Sequence, residues 1–159
     1  EIILLVQKYN TKYITVTGGE PLAQKNIINL LETLVCNSFN ISLETSGLID
    51  ISAVPKDIEI VMDVKTPSSN EDKNNIKKNF SLIKNSDVLK FVIGNKTDYD
   101  WSKKILIEND LLNFKNIYFS PVHKVLKPED IAKWILDDNL NVTLQLQIHK
   151  YIWGNERAR

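Results

Sequence analysis

The sequence contains one cysteine, Cys36, in 159 residues. A single thiol excludes an internal disulfide framework and points to a reducing, cytoplasmic setting. No charge of either sign dominates: Lys+Arg and Asp+Glu are both 20, so the formal net charge is zero. A balanced chain offers no electrostatic reason to expect nucleic acid or an anionic membrane as partner. No apolar run approaches the roughly 18 residues of a membrane-spanning helix. The opening "EIILLVQKYN" has neither a basic leader nor a small-residue cleavage site, so no secretory signal is expected. Long linkers and low-complexity tracts are lacking too. That leaves a single βα-rich domain over 1–159 as the expectation, with 43% hydrophobic residues to build its core.

What is present alternates short β-rich runs with longer helical ones, the pattern of parallel βα units. Strands are predicted at Ile14–Thr17, Asn40–Glu44, Ile60–Lys65, Val88–Ile93, Asn116–Ser120 and Asn141–Ile148. Between the first two, Gln24–Cys36 carries Ile27, Leu30, Leu31 and Leu34 at the spacing of one helical face, with Cys36 closing that face as a buried thiol. A polar stretch leads into a helix using Ile76, Phe80 and Ile83. Thr97 with Asp100 resembles a capping box that opens a helix carrying Trp101 and Ile105. Pro128 suits a first helical turn, with Glu129 and Asp130 at its positive end and Ile131, Trp134 and Ile135 facing inward. Trp101, Trp134 and Trp153 read as packing residues, and His123 as a surface residue. The segment Leu48–Glu59 is the least regular and has room for one short helical turn. Periodicity alone does not separate a barrel from an open doubly wound sheet.

Chemistry-capable residues gather where the predicted strands end. They are Thr17-Gly18-Gly19-Glu20, Glu44-Thr45-Ser46, Asp63 and Lys65 with Ser68-Ser69, Lys90, Ser120-Pro121, and Gln147-His149-Lys150. In barrels and open α/β sheets alike, ligands bind at that edge. Gly18 and Gly19 lack Cβ atoms, so a ligand can approach their backbone. Glu20 adds a carboxylate suited to an ammonium group. A tight strand-to-helix turn is the competing explanation for a lone Gly-Gly pair. For Glu44 the competing role is capping a neighbouring turn, and for Asp63 and Lys65 a structural ion pair.

"TGGEP" resembles the motif with which the radical S-adenosylmethionine superfamily grips the methionine ammonium of its cofactor. Together with "LETSG", "VMDVKTPSS", "LKFVIGN", "YFSPV" and "LQLQIHKYIWG", the chain resembles the 7-carboxy-7-deazaguanine synthase family over nearly its whole length. The resemblance implies an α/β fold, an incomplete (β/α) barrel of mostly parallel strands with its N-terminal part missing. It implies a carbon–nitrogen lyase that uses S-adenosylmethionine, a [4Fe–4S] cluster and Mg2+. That family contracts 6-carboxy-5,6,7,8-tetrahydropterin to 7-carboxy-7-deazaguanine on the way to queuosine. Carried over by motif, Gly18, Gly19 and Glu20 hold the methionine end of the cofactor. Glu44, Lys65, Ser68 and Ser69 line its ribose and carboxylate side, and Ser120, Pro121 and Val122 the adenine edge. Thr17 and His149 fall to the substrate. The implied partners are the small pterin substrate and a second copy in a homodimer.

The departure from the family is its cluster. Three closely spaced thiolates are required and one cysteine is present, and carboxylates do not replace soft ligands on an iron–sulfur cluster. The chain alone is therefore expected to be inactive. A start at Glu1, inside an apolar run, favours a piece of an intact enzyme. The alternatives are a degenerate scaffold or ligand-binding protein and a relative of the glycyl-radical activating enzymes. A phosphate-binding loop is disfavoured by the acid at Glu20.

Overall fold

A computed structural model describes residues 1–72 and 77–154. The expected helix position Ile76 lies outside the described residues. The chain divides into two compact units, Glu1–Asp63 with Ile76–Val88, and Val64–Asn75 with Leu89–Arg159.

The first unit opens with helix α1, Ile2–Val6, which the sequence reading did not assign. Ile3 and Val6 pack inward, while Ile2, Leu4 and Leu5 are half exposed or more. Strand β1, Tyr13–Val16, runs to the glycine pair. Pro21 then fixes a 3₁₀ turn over Pro21–Ala23, and Gln24 is extended, so helix α2 begins at Ile27 rather than at Gln24 and runs to Cys36. Strands β2, Asn40–Thr45, and β3, Glu59–Val64, follow, and then the short helix α3, Lys77–Phe80. The order is β1-β2-β3, with both pairings parallel: Val16 lies opposite Leu43, and Thr45 opposite Met62.

Alternation along these strands sends Ile41, Leu43, Ile60 and Met62 to one face, where Ile27, Leu31 and Leu34 of α2 meet the strands. Fully burying each such side chain contributes about 1.5–3 kcal/mol. Ser42 and Glu44 point to the other face. Cys36 is exposed, contrary to expectation, because the apolar stripe of α2 ends at Leu34 and the last turn rotates the thiol outward. The irregular segment after β2 forms turns without a helix. Buried Asn79 ties it down, donating to the Gly47 and Ile49 carbonyls at 3.0 and 2.8 Å and accepting from the Ile51 N–H at 3.2 Å.

The second unit contains β4, Val88–Ile93; α4, Lys96–Glu108; β5, Ile117–Pro121; α5, Pro128–Asp137; β6, Thr143–Leu144; and α6, Ile148–Trp153. The order β4-β5-β6 is again parallel, with Leu89 opposite Ile117 and Phe119 opposite Leu144. Phe91, Tyr99, Phe119 and Trp134 form an aromatic chain with ring centroids 5.4–5.7 Å apart. Edge-on contacts of this kind add to the area they bury.

Three expectations about this unit are corrected. The cap of α4 is Asn95, whose side chain accepts from the Asp98 N–H at 3.0 Å, and not Thr97. The buried face of α4 is Asp98, Tyr99, Ser102 and Leu106, with Trp101 and Ile105 only partly covered. The last strand keeps two residues, and "IHKYIW" is helical, with Trp153 45% exposed rather than packed. Among the described residues no helix is long and apolar enough to cross a membrane.

Candidate functional site

In the first unit β1 delivers the chain into Thr17-Gly18-Gly19-Glu20. Gly18 and Gly19 have φ of +105° and +60°, a backbone region that side-chain-bearing residues rarely adopt. A Cβ built on either glycine meets nothing within 4 Å, so the space above the turn is open. The turn is held from below. Glu20 caps the following 3₁₀ turn by accepting from the Leu22 N–H at 3.1 Å. The same carboxylate accepts from the Thr45 hydroxyl at 2.9 and 3.1 Å, from the Ser46 N–H at 2.8 Å and from the Ser46 hydroxyl. Burial pushes the Glu20 carboxyl up, but the Ser46, Leu22 and Thr45 hydrogen bonds together outweigh burial and hold it below its ordinary value. With four donors already on its oxygens, Glu20 contributes negative charge to an incoming ammonium rather than free lone pairs.

Exposed Thr17 donates to exposed Glu44 at 3.0 Å. Thr17, Gly18, Gly19, Glu20 and Glu44 are thus brought together at the carboxyl ends of β1 and β2. Thr45 and Ser46 join them as the donors that fix Glu20. The sequence places both among the chemistry-capable residues at the strand ends, without a role for either.

The second unit holds the remaining expected residues. Lys65 is half-buried, and Pro67–Ser69 forms a 3₁₀ turn closed by Asn70 at φ +59°. Thr66 donates to the Val92 carbonyl at 3.0 Å, and Ser69 to the Thr66 carbonyl at 2.6 Å. Ser68 is organised by a residue the sequence reading passed over. Asp98, fully buried, accepts from the Ser68 N–H at 2.9 Å, from the Ser68 hydroxyl and from the Gly94 N–H at 2.8 Å. Asn95 donates to the Ser68 oxygen at 3.0 Å.

At the end of β5, Ser120 and Pro121 are buried, and the Ser120 hydroxyl has no hydrogen-bond partner. His149 is exposed on α6. His123 is not a surface residue: it is half-buried, and its ring meets Tyr151 edge-on with centroids 4.8 Å apart. Among the described residues no three His, Cys, Asp or Glu side chains group closely enough to hold a metal ion. The donor set therefore does not fit an iron–sulfur cluster, whose thiolates a lone exposed Cys36 cannot supply.

No family model matches the chain. A curated 7-carboxy-7-deazaguanine synthase from Chlorobaculum tepidum is 36% identical over 157 residues, covering 97% of this chain and 71% of the relative. The structure of QueE from Escherichia coli superposes with a TM-score of 0.69 at 18% identity, covering 91% of this chain and 61% of that one. Streptococcus suis SuiB bound to S-adenosylmethionine gives a TM-score of 0.59 at 15% identity, covering 92% of this chain and 40% of that one. The chain thus has the α/β fold of these structures and spans less than two thirds of each. The level of identity and the share of the curated relative that is covered together place the chain in the 7-carboxy-7-deazaguanine synthase family, enzymes of the radical S-adenosylmethionine superfamily.

Proposed function

We propose that this chain supplies the cofactor-gripping and part of the substrate-binding surface of a 7-carboxy-7-deazaguanine synthase, as one barrel domain working in the cytoplasm as a homodimer. The observation that carries the proposal is the Gly18–Gly19 turn, left-handed, open above and clamped below by Glu20. Backbone groups of such a turn can face a ligand closely, and the Glu20 charge complements the ammonium of S-adenosylmethionine. Glu44 with Thr17 extends the polar rim of the same turn. In the second unit, Lys65 offers a cation to a carboxylate, Ser68 and Ser69 offer hydroxyls to the ribose, and Ser120 with Pro121 offers an edge to the adenine. Thr17 and His149 are assigned to 6-carboxy-5,6,7,8-tetrahydropterin.

When bound and reductively cleaved, S-adenosylmethionine supplies a carbon-centred radical for hydrogen abstraction. The residues here bind and orient the cofactor, and the cluster finds no thiolate set among them. Mg2+ belongs to the proposed ring contraction, and no step is assigned to it in this chain. The single cysteine also favours a second reading, a ligand-binding protein without radical chemistry.

Calorimetric titration of the chain with S-adenosylmethionine tests the proposal. Binding is expected, and Gly19→Val, which forces a branched residue into φ +60°, should weaken it at least about tenfold. No binding at millimolar cofactor, or equal affinity in the variant, would reject the assigned turn. Anaerobic reconstitution with iron and sulfide should give no cluster absorbance from these residues. A stoichiometric cluster would overturn the ligand argument.

A further inference from the structure

The outer layer of the first unit has a gap. Helix α2 covers the crossover from β1 to β2, whereas residues 46–58, between β2 and β3, form turns only. Where β3 begins, a crevice of about 280 Å³ is left between these turns and the loop after α3. Buried Ile51 and Ile60 form its floor, and Val54, Pro55 and Leu82 its sides. Protein interiors are normally packed without such voids, so apolar walls left in contact with water call for an explanation.

The frame of the crevice is fixed from outside it. The Val54 N–H donates to the Ile51 carbonyl at 3.0 Å and the Ile58 N–H to the Pro55 carbonyl at 3.1 Å, closing two successive turns. Asn79 holds the first turn through the Ile51 N–H. Lys84 holds the second, its ammonium donating to the Lys56 and Ile58 carbonyls at 2.7 and 2.6 Å. Buried Asp87 joins this loop to β3, accepting from the Lys84 N–H at 2.8 Å and from the Ile60 N–H at 3.0 Å. The shape is thus preformed, as small-molecule sites usually are.

Charge narrows the ligand class. Lys56 and Lys84 line the crevice and no acid does. Of the acids nearby, Asp50 is paired with Lys78 at 2.9 Å, Asp87 with Lys84 at 3.3 Å, and Asp57 lines a separate cavity with Tyr13 and Asn40. The Lys84 ammonium is engaged by two carbonyls and Asp87, so Lys84 serves the crevice with its carbon stem. Lys56 is exposed and makes no ion pair among the described residues. We infer that the crevice binds a small amphipathic carboxylate, its branched or cyclic hydrocarbon body on Ile51 and Ile60 and its anionic group at the Lys56 ammonium. The crevice lies at the amino end of β3 and the glycine turn at the carboxyl ends of β1 and β2, so the inference does not depend on the proposed function.

The test is nuclear magnetic resonance of the whole chain, observing the methyl groups of Ile51, Val54, Ile60 and Leu82. The probes are 4-methylpentanoate, its neutral amide, and acetate, which has the anionic group without the hydrocarbon body. The longer acid should shift the four residues at millimolar concentration while the Gly18 and Gly19 amides stay in place. Its amide should bind about two- to fivefold more weakly, the worth of one solvent-exposed ion pair. Acetate should leave the methyl groups unmoved. Lys56→Gln should abolish the preference for acid over amide and leave affinity for the amide unchanged. Val54→Trp fills the crevice and should weaken both probes at least about tenfold. Because Lys56 is exposed, its variant keeps the fold and decides the matter even if the tryptophan variant does not fold. The inference is overturned if the acid leaves all four residues unmoved, if acid and amide bind equally, or if the preference survives Lys56→Gln. Shifts at the glycine amides without shifts in the crevice overturn it as well.

Discussion

Replacing Asp98 with alanine removes the group that holds the Ser68 turn. Asp98 is fully buried and receives three donors, the Ser68 N–H, the Ser68 hydroxyl and the Gly94 N–H. A hydrogen bond to a charged acceptor contributes about 1.5–3 kcal/mol when water is excluded. Gly94 is half-buried and its donor takes a value near the lower end, about 1.5–2 kcal/mol. Ser68 is exposed, so its two donors recover water, and roughly 0.5 kcal/mol each remains. Asp98 also sits in the first turn of α4, where a negative charge adds about 0.5 kcal/mol. Asp98→Ala should therefore cost about 3 kcal/mol, or about 6–12 °C in Tm for a chain of this size. Asp98→Asn keeps the acceptor for the Ser68 N–H but turns an amide donor toward the Gly94 N–H, and should cost about 2 kcal/mol. Urea unfolding gives the energies, and amide exchange at Gly94 and Ser68 shows where they are lost. A cost below about 1 kcal/mol for Asp98→Ala, with Gly94 exchange unchanged, would refute the view that this carboxylate holds the turn.

Other consequences are open to measurement. Because the Glu20 carboxyl titrates below its ordinary 4.5, its hydrogen bonds stabilise the fold fully above that value and fade as pH falls through the lower folded value. The Ser46 amide signal should therefore move with a midpoint below 4.5, and Glu20→Gln should abolish that step; a midpoint at or above 4.5 contradicts the bonding described. Asn79→Leu strands the Gly47 and Ile49 carbonyls and the Ile51 N–H and should cost about 2–4 kcal/mol in urea unfolding, against under 0.5 kcal/mol for a neutral surface change. Lys78 and its neighbour Ser52 hold the exposed Asp50 carboxyl down to about 2, so Lys78→Ala should raise it by direct carboxyl titration. Cys36 should react with a thiol reagent in the native chain as fast as in urea, whereas a buried thiol would wait for unfolding.

The strands were legible wherever both of their faces could be argued from residue type. Val88–Ile93 appears as read, and the ends of β1, β2, β3 and β5 lie within one residue of expectation. The failure at "NVTLQLQI" has a physical cause. Its apolar-polar alternation is that of a strand, but Leu146 and Ile148 are 39% and 63% exposed, so an extended chain gains no burial from its pattern and the chain turns into α6. The inward face of α4 was missed because two of its members, Asp98 and Ser102, are polar and enter the core only with partners. Sequence periodicity counts apolar residues and does not see a buried carboxylate. The glycine turn of the candidate site was legible because its backbone demand falls on residue type. His123 was not, because its place depends on Tyr151 of a helix that the sequence reading did not assign.

The two units solve one problem with the same chemistry. A turn built on small residues has few side chains to hold it, and each glycine adds about 0.5–1 kcal/mol of ordering cost relative to alanine. In the first unit Glu20 takes both the N–H and the hydroxyl of Ser46, and in the second Asp98 takes both donors of Ser68. A carboxylate is suited to this because its two oxygens accept several donors at fixed angles, and a backbone N–H paired with a hydroxyl fixes one residue in both position and rotamer. If the clamp is what orders the glycine turn, Glu20→Gln and Ser46→Ala are not independent. Each alone breaks the same contact, so the double variant should lose less than the two singles together, by about 1 kcal/mol or more. The amides of Gly18 and Gly19 should exchange faster in all three variants. Additive losses with glycine exchange unmoved would show that the turn holds its left-handed shape without Glu20, and the carboxylate would then have to be explained by a ligand alone.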